Sequence, residues 1–115
     1  MDNERNTAQM RKGVLELCIL SIVSRDDAYA SDMIGKLKEA KLIVVEGTLY
    51  PLLTRLKNEG MLSYRWEEST QGPPRKYYKI TEEGMKELEA MTAEWREMVE
   101  AVERLLGMEQ RAERL

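Results

Sequence analysis

Apolar residues recur along this chain at two spacings, and each change of spacing marks a new element. Residues 7–23 read TAQMRKGVLELCILSIV, where Met10, Val14, Leu17, Cys18 and Ile22 step by three or four, the period of a helix. Leu15, Ile19 and Val23 add a second apolar stripe. A helix apolar on two sides packs against two surfaces, such as the domain core and a partner chain. Gly13 inside it costs about 1 kcal/mol relative to Ala, which close approach of another backbone would explain. Residues 24–28 form a short polar connection. In residues 30–41, ASDMIGKLKEAK, one face carries Met33, Ile34, Leu37 and Ala40, and Lys36, Lys38 and Lys41 are left for solvent or phosphate.

Residues 44–60, VVEGTLYPLLTRLKNEG, hold the centre of the pattern. Leu49, Leu52, Leu53 and Leu56 form one helical stripe. Opposite lie Gly47, Tyr50, Pro51, Thr54, Arg55 and Asn58, with Thr48 near the start. No acidic residue stands on that outer face. Gly60 suits a helix end, because Gly takes the left-handed conformation at low cost. Val45 falls at the N-cap, where Ser, Thr, Asn or Asp would satisfy a free backbone N–H. Pro51 lies past its safest position, so the helix either bends there or becomes regular later. A short helix, a brief connection and a second helix with a polar outer face make a helix-turn-helix pattern, the second helix being the recognition helix.

The period then becomes two. Across residues 61–68, MLSYRWEE, Leu62, Tyr64 and Trp66 alternate with Ser63, Arg65 and Glu67, a strand signature. Residues 69–74, STQGPP, are a turn by composition, and RKYYKI at 75–80 is a second strand. The hairpin is a wing whose tip carries Gln71, Gly72, Arg75 and Lys76, placed for phosphate or minor-groove contact. Helical period returns after Thr81, a good N-cap followed by Glu82 and Glu83 that complement the helix dipole. Leu88, Met91, Trp95, Met98, Val102 and Leu105 fall alternately three and four apart up to about Leu106, a heptad seam. Such a stripe is not left wet on a solitary helix, so these six are the expected dimer interface. Residues 107–115 are charged and expected to fray.

Composition narrows the function. The 115 residues include no histidine and one cysteine, which removes the commonest general base and the usual zinc ligands. No phosphate loop or nucleophile elbow is present, so neither an enzyme nor a cofactor or metal is expected. Cys18 lies in an apolar run and reads as a buried, inert thiol. The N-terminus is not that of a signal peptide, and no apolar run reaches the ~20 residues of a membrane span, so a cytoplasmic protein is expected. The net charge of −3 is divided unevenly: 13 Lys and Arg face 11 Asp and Glu in residues 1–80, against 5 and 10 in residues 81–115. The first part can still present a basic face.

These segments resemble the PadR family of transcriptional regulators, in its short subgroup with a single C-terminal helix. RKGVLELCIL at 11–20, GTLYPLLTRLKNEGML at 47–62 and GPPRKYYKIT at 72–81, followed by Gly84, carry the resemblance over about residues 8–106. It implies a winged helix-turn-helix, a homodimer formed through the first and last helices, and repression of a promoter. Some members of that subgroup sense flat hydrophobic molecules where a tryptophan from each last helix meets, and Trp95 occupies the matching position. Val45 departs from the Ser or Asn often found before the recognition helix.

The expected architecture is mainly α with a small β hairpin. A winged helix-turn-helix DNA-binding domain at 1–80 is followed by a dimerisation helix at 81–115. Lys36, Lys38, Thr48, Tyr50, Pro51, Thr54, Arg55, Asn58, Arg75 and Lys76 are the expected contacts to double-stranded DNA. A hydrophobic or aromatic effector would sit among Met10, Val14, Leu17, Met91, Trp95 and Met98, flanked by Glu94 and Glu97. The alternative is a filled dimer core in which Trp95 packs on its symmetry mate. A dimeric repressor competes with a winged-helix module used for protein contacts alone.

Overall fold

The computed structural model describes residues 3–108, with side chains from residue 13 on. The order of elements is α1 (Asn3–Arg25), α2 (Ala30–Glu39), α3 (Glu46–Asn58), β1 (Leu62–Ser69), β2 (Gly72–Ile80) and α4 (Glu82–Leu106). This is the winged helix-turn-helix with a long last helix that the periodicity predicts. Ile19, Leu20 and Val23 of α1 meet Met33 and Leu37 of α2 and Leu49, Leu53 and Leu56 of α3 in one core. Leu62 and Tyr78 close it from the hairpin side. Each fully buried leucine contributes roughly 1.5–3 kcal/mol. The core-facing side of α1 includes Leu20, which belongs to neither expected stripe. Val14, Leu17, Cys18 and Ile22 remain half-buried, on the side where α1 meets α4.

Three helices end in the same hydrogen-bond pattern. After α3, Gly60 N–H donates to the Lys57 carbonyl at 3.0 Å and Met61 N–H to the Leu56 carbonyl at 2.9 Å. Gly60 has φ 81, so the absence of a Cβ matters there. Gly107 closes α4 in the same way; residues 109–115 lie outside the described residues. At the end of α2 the left-handed position is held by Lys41, with φ 67, and Leu42 N–H reaches the Leu37 carbonyl at 2.8 Å.

Val45 is the N-cap of α3 and gives it no side-chain cap. Its carbonyl accepts from the N–H groups of Thr48 and Leu49 at 3.0 and 3.1 Å. The helix begins at Glu46 and runs on through Pro51. Pro51 has no N–H to offer the Gly47 carbonyl four residues earlier.

The hairpin differs from expectation in its turn. β2 starts at Gly72 rather than at Arg75, leaving Thr70 and Gln71 as the turn. Glu67 pairs with Arg75 and Ser69 with Gly72, with a register irregularity between them. Pro73 and Pro74 therefore stand opposite the single residue Glu68. A bulge of this kind accepts prolines because no ladder N–H is needed there. The connection before α2 also contributes a rung: Ala28 and Tyr78 exchange backbone hydrogen bonds of 3.1 and 2.8 Å.

Thr81 joins three elements. Its hydroxyl accepts from Gly84 N–H at 2.9 Å and donates to the Gly60 carbonyl at 2.6 Å. Gly84 is buried against the chain: a Cβ there would lie 2.2 Å from the Met61 carbonyl oxygen and 2.6 Å from Ile80 Cγ1. A Cβ at Gly13, by contrast, would meet nothing within 4 Å among the described residues. A close backbone approach among the described residues does not explain that glycine.

Two substitutions follow from these backbones. Gly84→Ala drives a methyl group into a carbonyl and should cost roughly 2 kcal/mol, net of its better helix propensity, or about 10 °C in the thermal midpoint. Lys41→Gly should act the other way. Relief of a left-handed L-residue is worth about 1–2 kcal/mol and the looser unfolded chain takes back about 0.5–1. The midpoint should therefore rise slightly, and calorimetry of the two variants checks both signs.

Candidate nucleic-acid interface

α3 is held by one side. Leu49, Leu53 and Leu56 are inaccessible to solvent and Leu52 is half-buried. Gly47, Thr48, Tyr50, Pro51, Thr54, Arg55 and Asn58 are all exposed. Gly47, Pro51, Thr54 and Asn58 share the centre of that outer face at helical spacing, with Tyr50 and Arg55 on its flanks. Arg55 differs from the rest. Its guanidinium bridges Glu16 of α1 at 3.1 Å and Glu59 at 2.8 Å, so it ties the end of α3 back to α1.

The wing stands beside this face. Tyr64 and Trp66 of β1 lie on the same side as their partners Tyr78 and Lys76 of β2. The Lys76 ammonium sits 4.0 Å from the Tyr64 ring centre, 5.6 Å from Trp66 and 5.7 Å from Tyr78. Lys57 of α3 approaches the Tyr64 ring at 5.7 Å. Cations over aromatic faces are held in place without losing their charge. Between α3 and the wing is a cleft of about 390 Å³ lined by Tyr29, Ser31, Tyr50, Trp66, Arg75 and Lys76, among others. Its walls are aromatic and its charges positive. Tyr78 forms its floor, and burial pushes that phenol above its ordinary pKa, keeping it neutral.

Of the expected contacts, Tyr50, Arg75 and Lys76 come together in this cleft, and Thr54 and Asn58 continue its line along α3. Lys36 does not join them. It lines a separate groove of about 340 Å³ against Leu17, Cys18 and Ile22 of α1 and Leu88 and Thr92 of α4. α2 reaches the cleft by its N-terminal end, through Tyr29 and Ser31. Lys38 is exposed on α2. Periodicity missed Tyr29 and Trp66. The usable signal for Trp66 was architectural: a two-stranded ribbon cannot bury a whole aromatic row, and Trp66 is 63% exposed.

The long helix splits the heptad stripe in two. Leu88 and Met91 pack against the chain's own core. Trp95, Met98, Val102 and Leu105 are exposed by 40%, 54%, 47% and 89%. Of the expected effector positions, Val14, Leu17 and Met91 are half-buried and the side chain of Met10 lies outside the described residues. Leu17 lines the 340 Å³ groove, whereas Trp95 and Met98 stand beyond it. Burial raises the pKa of the Cys18 thiol, which suits its place in that apolar wall rather than a nucleophilic role.

Residues 19–90 match the model of the transcriptional regulator PadR-like family. The chain belongs to that family. It is therefore a transcriptional regulator and not an enzyme. A PadR-like transcription factor from Bacteroides fragilis is 60% identical, with a TM-score of 0.74 over 90% of this chain and 99% of that one. The transcriptional regulator YqjI of Escherichia coli is 34% identical over 94 residues, which make up 79% of this chain and 42% of that protein. Bacillus subtilis PadR, solved in complex with operator DNA, is 24% identical with a TM-score of 0.64 and shares the fold over 69% of this chain and 46% of its own. No helix among the described residues of this PadR-like chain is long and apolar enough to cross a membrane.

Proposed function

We propose that this PadR-like regulator is a cytoplasmic homodimer that binds operator DNA and represses transcription. The observation that carries the DNA reading is the outer face of α3. It is free of acid, rich in small and hydroxyl residues, and continuous with the cationic cleft under the wing. In this reading Thr48, Tyr50, Pro51, Thr54 and Asn58 meet the major groove, and Arg75, Lys76 and Lys38 meet phosphates. Arg55 fixes the angle of α3 through Glu16 rather than spending its charge on DNA. The complex of Bacillus subtilis PadR with operator DNA supports the same use of the fold. The winged-helix domain at 1–80 carries the contacts, and the segment from 81 on carries the dimer.

The dimer rests on α4. Beyond Met91 its apolar stripe has no cover among the described residues, and an exposed row of Trp95, Met98, Val102, Leu105 and Leu106 is covered by a second copy at the lowest cost. Trp95 brings a flat, polarisable ring to the seam, and Met91 and Met98 can repack around a guest. A planar apolar effector held there releases DNA through its different affinities for the two spacings of the paired recognition helices.

Replacing Tyr50 and Thr54 together by Ala should weaken binding to a duplex selected by the wild-type protein by roughly 2–6 kcal/mol, at about 1–3 for each base interaction removed, while leaving the melting temperature in place. Unchanged affinity removes α3 from the interface. A protein that selects no sequence from genomic DNA leaves the protein-contact alternative standing.

Sedimentation at micromolar concentration should give a dimer, and Val102→Glu should shift it toward monomer. Quenching of tryptophan fluorescence by planar aromatic compounds should vanish in Trp95→Ala and persist in Trp66→Ala. Equal quenching in both variants puts the guest elsewhere, and none in the wild type favours a filled seam.

A further inference from the structure

Three consecutive residues before α2 are each tied to the wing. Asp27 accepts an ion-paired hydrogen bond from Arg65 on β1. Ala28 makes the backbone bridge to Tyr78 on β2. Tyr29 receives a hydrogen bond on its phenol oxygen from Arg75 Nη1 at 3.1 Å. The ties also stack. Arg65 lies 5.2 Å from the Tyr77 ring centre, Tyr77 meets Tyr29 edge-on at 5.2 Å, and Arg75 lies 4.7 Å from the Tyr29 ring centre. The result is a row in the order Arg65, Tyr77, Tyr29, Arg75, two rings between two cations: Arg65 and Tyr77 lie on the side of the hairpin away from Trp66, and Tyr29 and Arg75 bring the row round to the cleft. Asp27 is its acidic end and Arg75 its free end.

Arg75 is exposed and lines the cleft. A free arginine samples many rotamers, and ordering one on binding costs roughly 0.5–1.5 kcal/mol. Tyr29 removes part of that cost beforehand. Its ring supports the guanidinium plane and its oxygen takes one N–H, leaving four of the five donors for phosphate. The Ala28–Tyr78 bridge holds the tyrosine and the arginine in fixed register.

We infer that Tyr29 is a positioning residue for DNA binding: it holds Arg75 of the wing over the cleft, so that helix-turn-helix and wing meet the nucleic acid as one preset surface. This rests on the DNA-binding reading above. Tyr29 acts through Arg75 and needs no contact with DNA of its own.

A double-mutant cycle tests it. Wild type, Tyr29→Phe, Arg75→Ala and the double variant are titrated with a labelled duplex that the wild-type protein selects from a random-sequence library. Tyr29→Phe keeps the ring and loses the hydrogen bond, and it should weaken binding roughly threefold, about 0.65 kcal/mol. In the Arg75→Ala background the same change should do nothing further. Lysine at 75 restores the charge but not the planar guanidinium that rests on the Tyr29 ring and donates to its oxygen, so Arg75→Lys should recover less than half of the loss. Thermal melts of the five proteins separate coupling from unfolding. Additive losses overturn the positioning role, as does a Tyr29→Phe protein that binds like the wild type. A wild-type protein that binds no duplex at low salt overturns the DNA-binding reading itself, and the positioning with it.

Discussion

The burial of three leucines on one side of α3 is the constraint from which the rest of the structure follows. Leu49, Leu53 and Leu56 have no solvent access, and losing any one to Ala would cost about 2–5 kcal/mol. A helix fixed that firmly by one stripe has its opposite face defined at the same moment. The residues on that face carry no packing duty, since Gly47, Thr54 and Asn58 are exposed. Their chemistry is therefore free to serve recognition. The weak start of the helix, with Val45 as an N-cap lacking a side-chain bond, is tolerable only because the leucines supply the stability that capping would otherwise add.

The wing depends on a second layer of constraint. A two-stranded hairpin alone is marginal in water. Here it is fastened at its base by the Ala28–Tyr78 bridge and at its inner end by Leu62 and Tyr78 in the core. Cations resting on rings extend the order outward toward the tip. The same contacts explain how an acidic protein presents a basic surface. Its positive charges are held on the wing by aromatic faces, while the excess of acid lies along α4.

Local pattern made most of this legible. The leucine stripe of α3, the stop at Gly60, the alternation in β1 and the Thr81 cap each rest on spacings of four residues or fewer, and each is present in the structure. The contacts that join distant segments have no period. Nothing local says that Arg55 turns to Glu16, that Ala28 pairs with Tyr78, or that Tyr29 carries Arg75. Lys36 illustrates the limit. It shares a helix with the residues that reach the cleft, but helical rotation puts it in the groove against α1 and α4. The turn departs from expectation for a related reason: STQGPP is turn-like in composition, yet a bulge opposite Glu68 lets Pro73 and Pro74 continue β2.

The most direct test of a preset cationic surface on an acidic chain is the salt dependence of wild-type binding to its selected duplex. Arg75, Lys76 and Lys38 from both copies of a dimer make six phosphate contacts, so log K should fall linearly with log salt at a slope of about −5.4, at roughly 0.9 per contact. Affinity that does not change with salt would contradict the account.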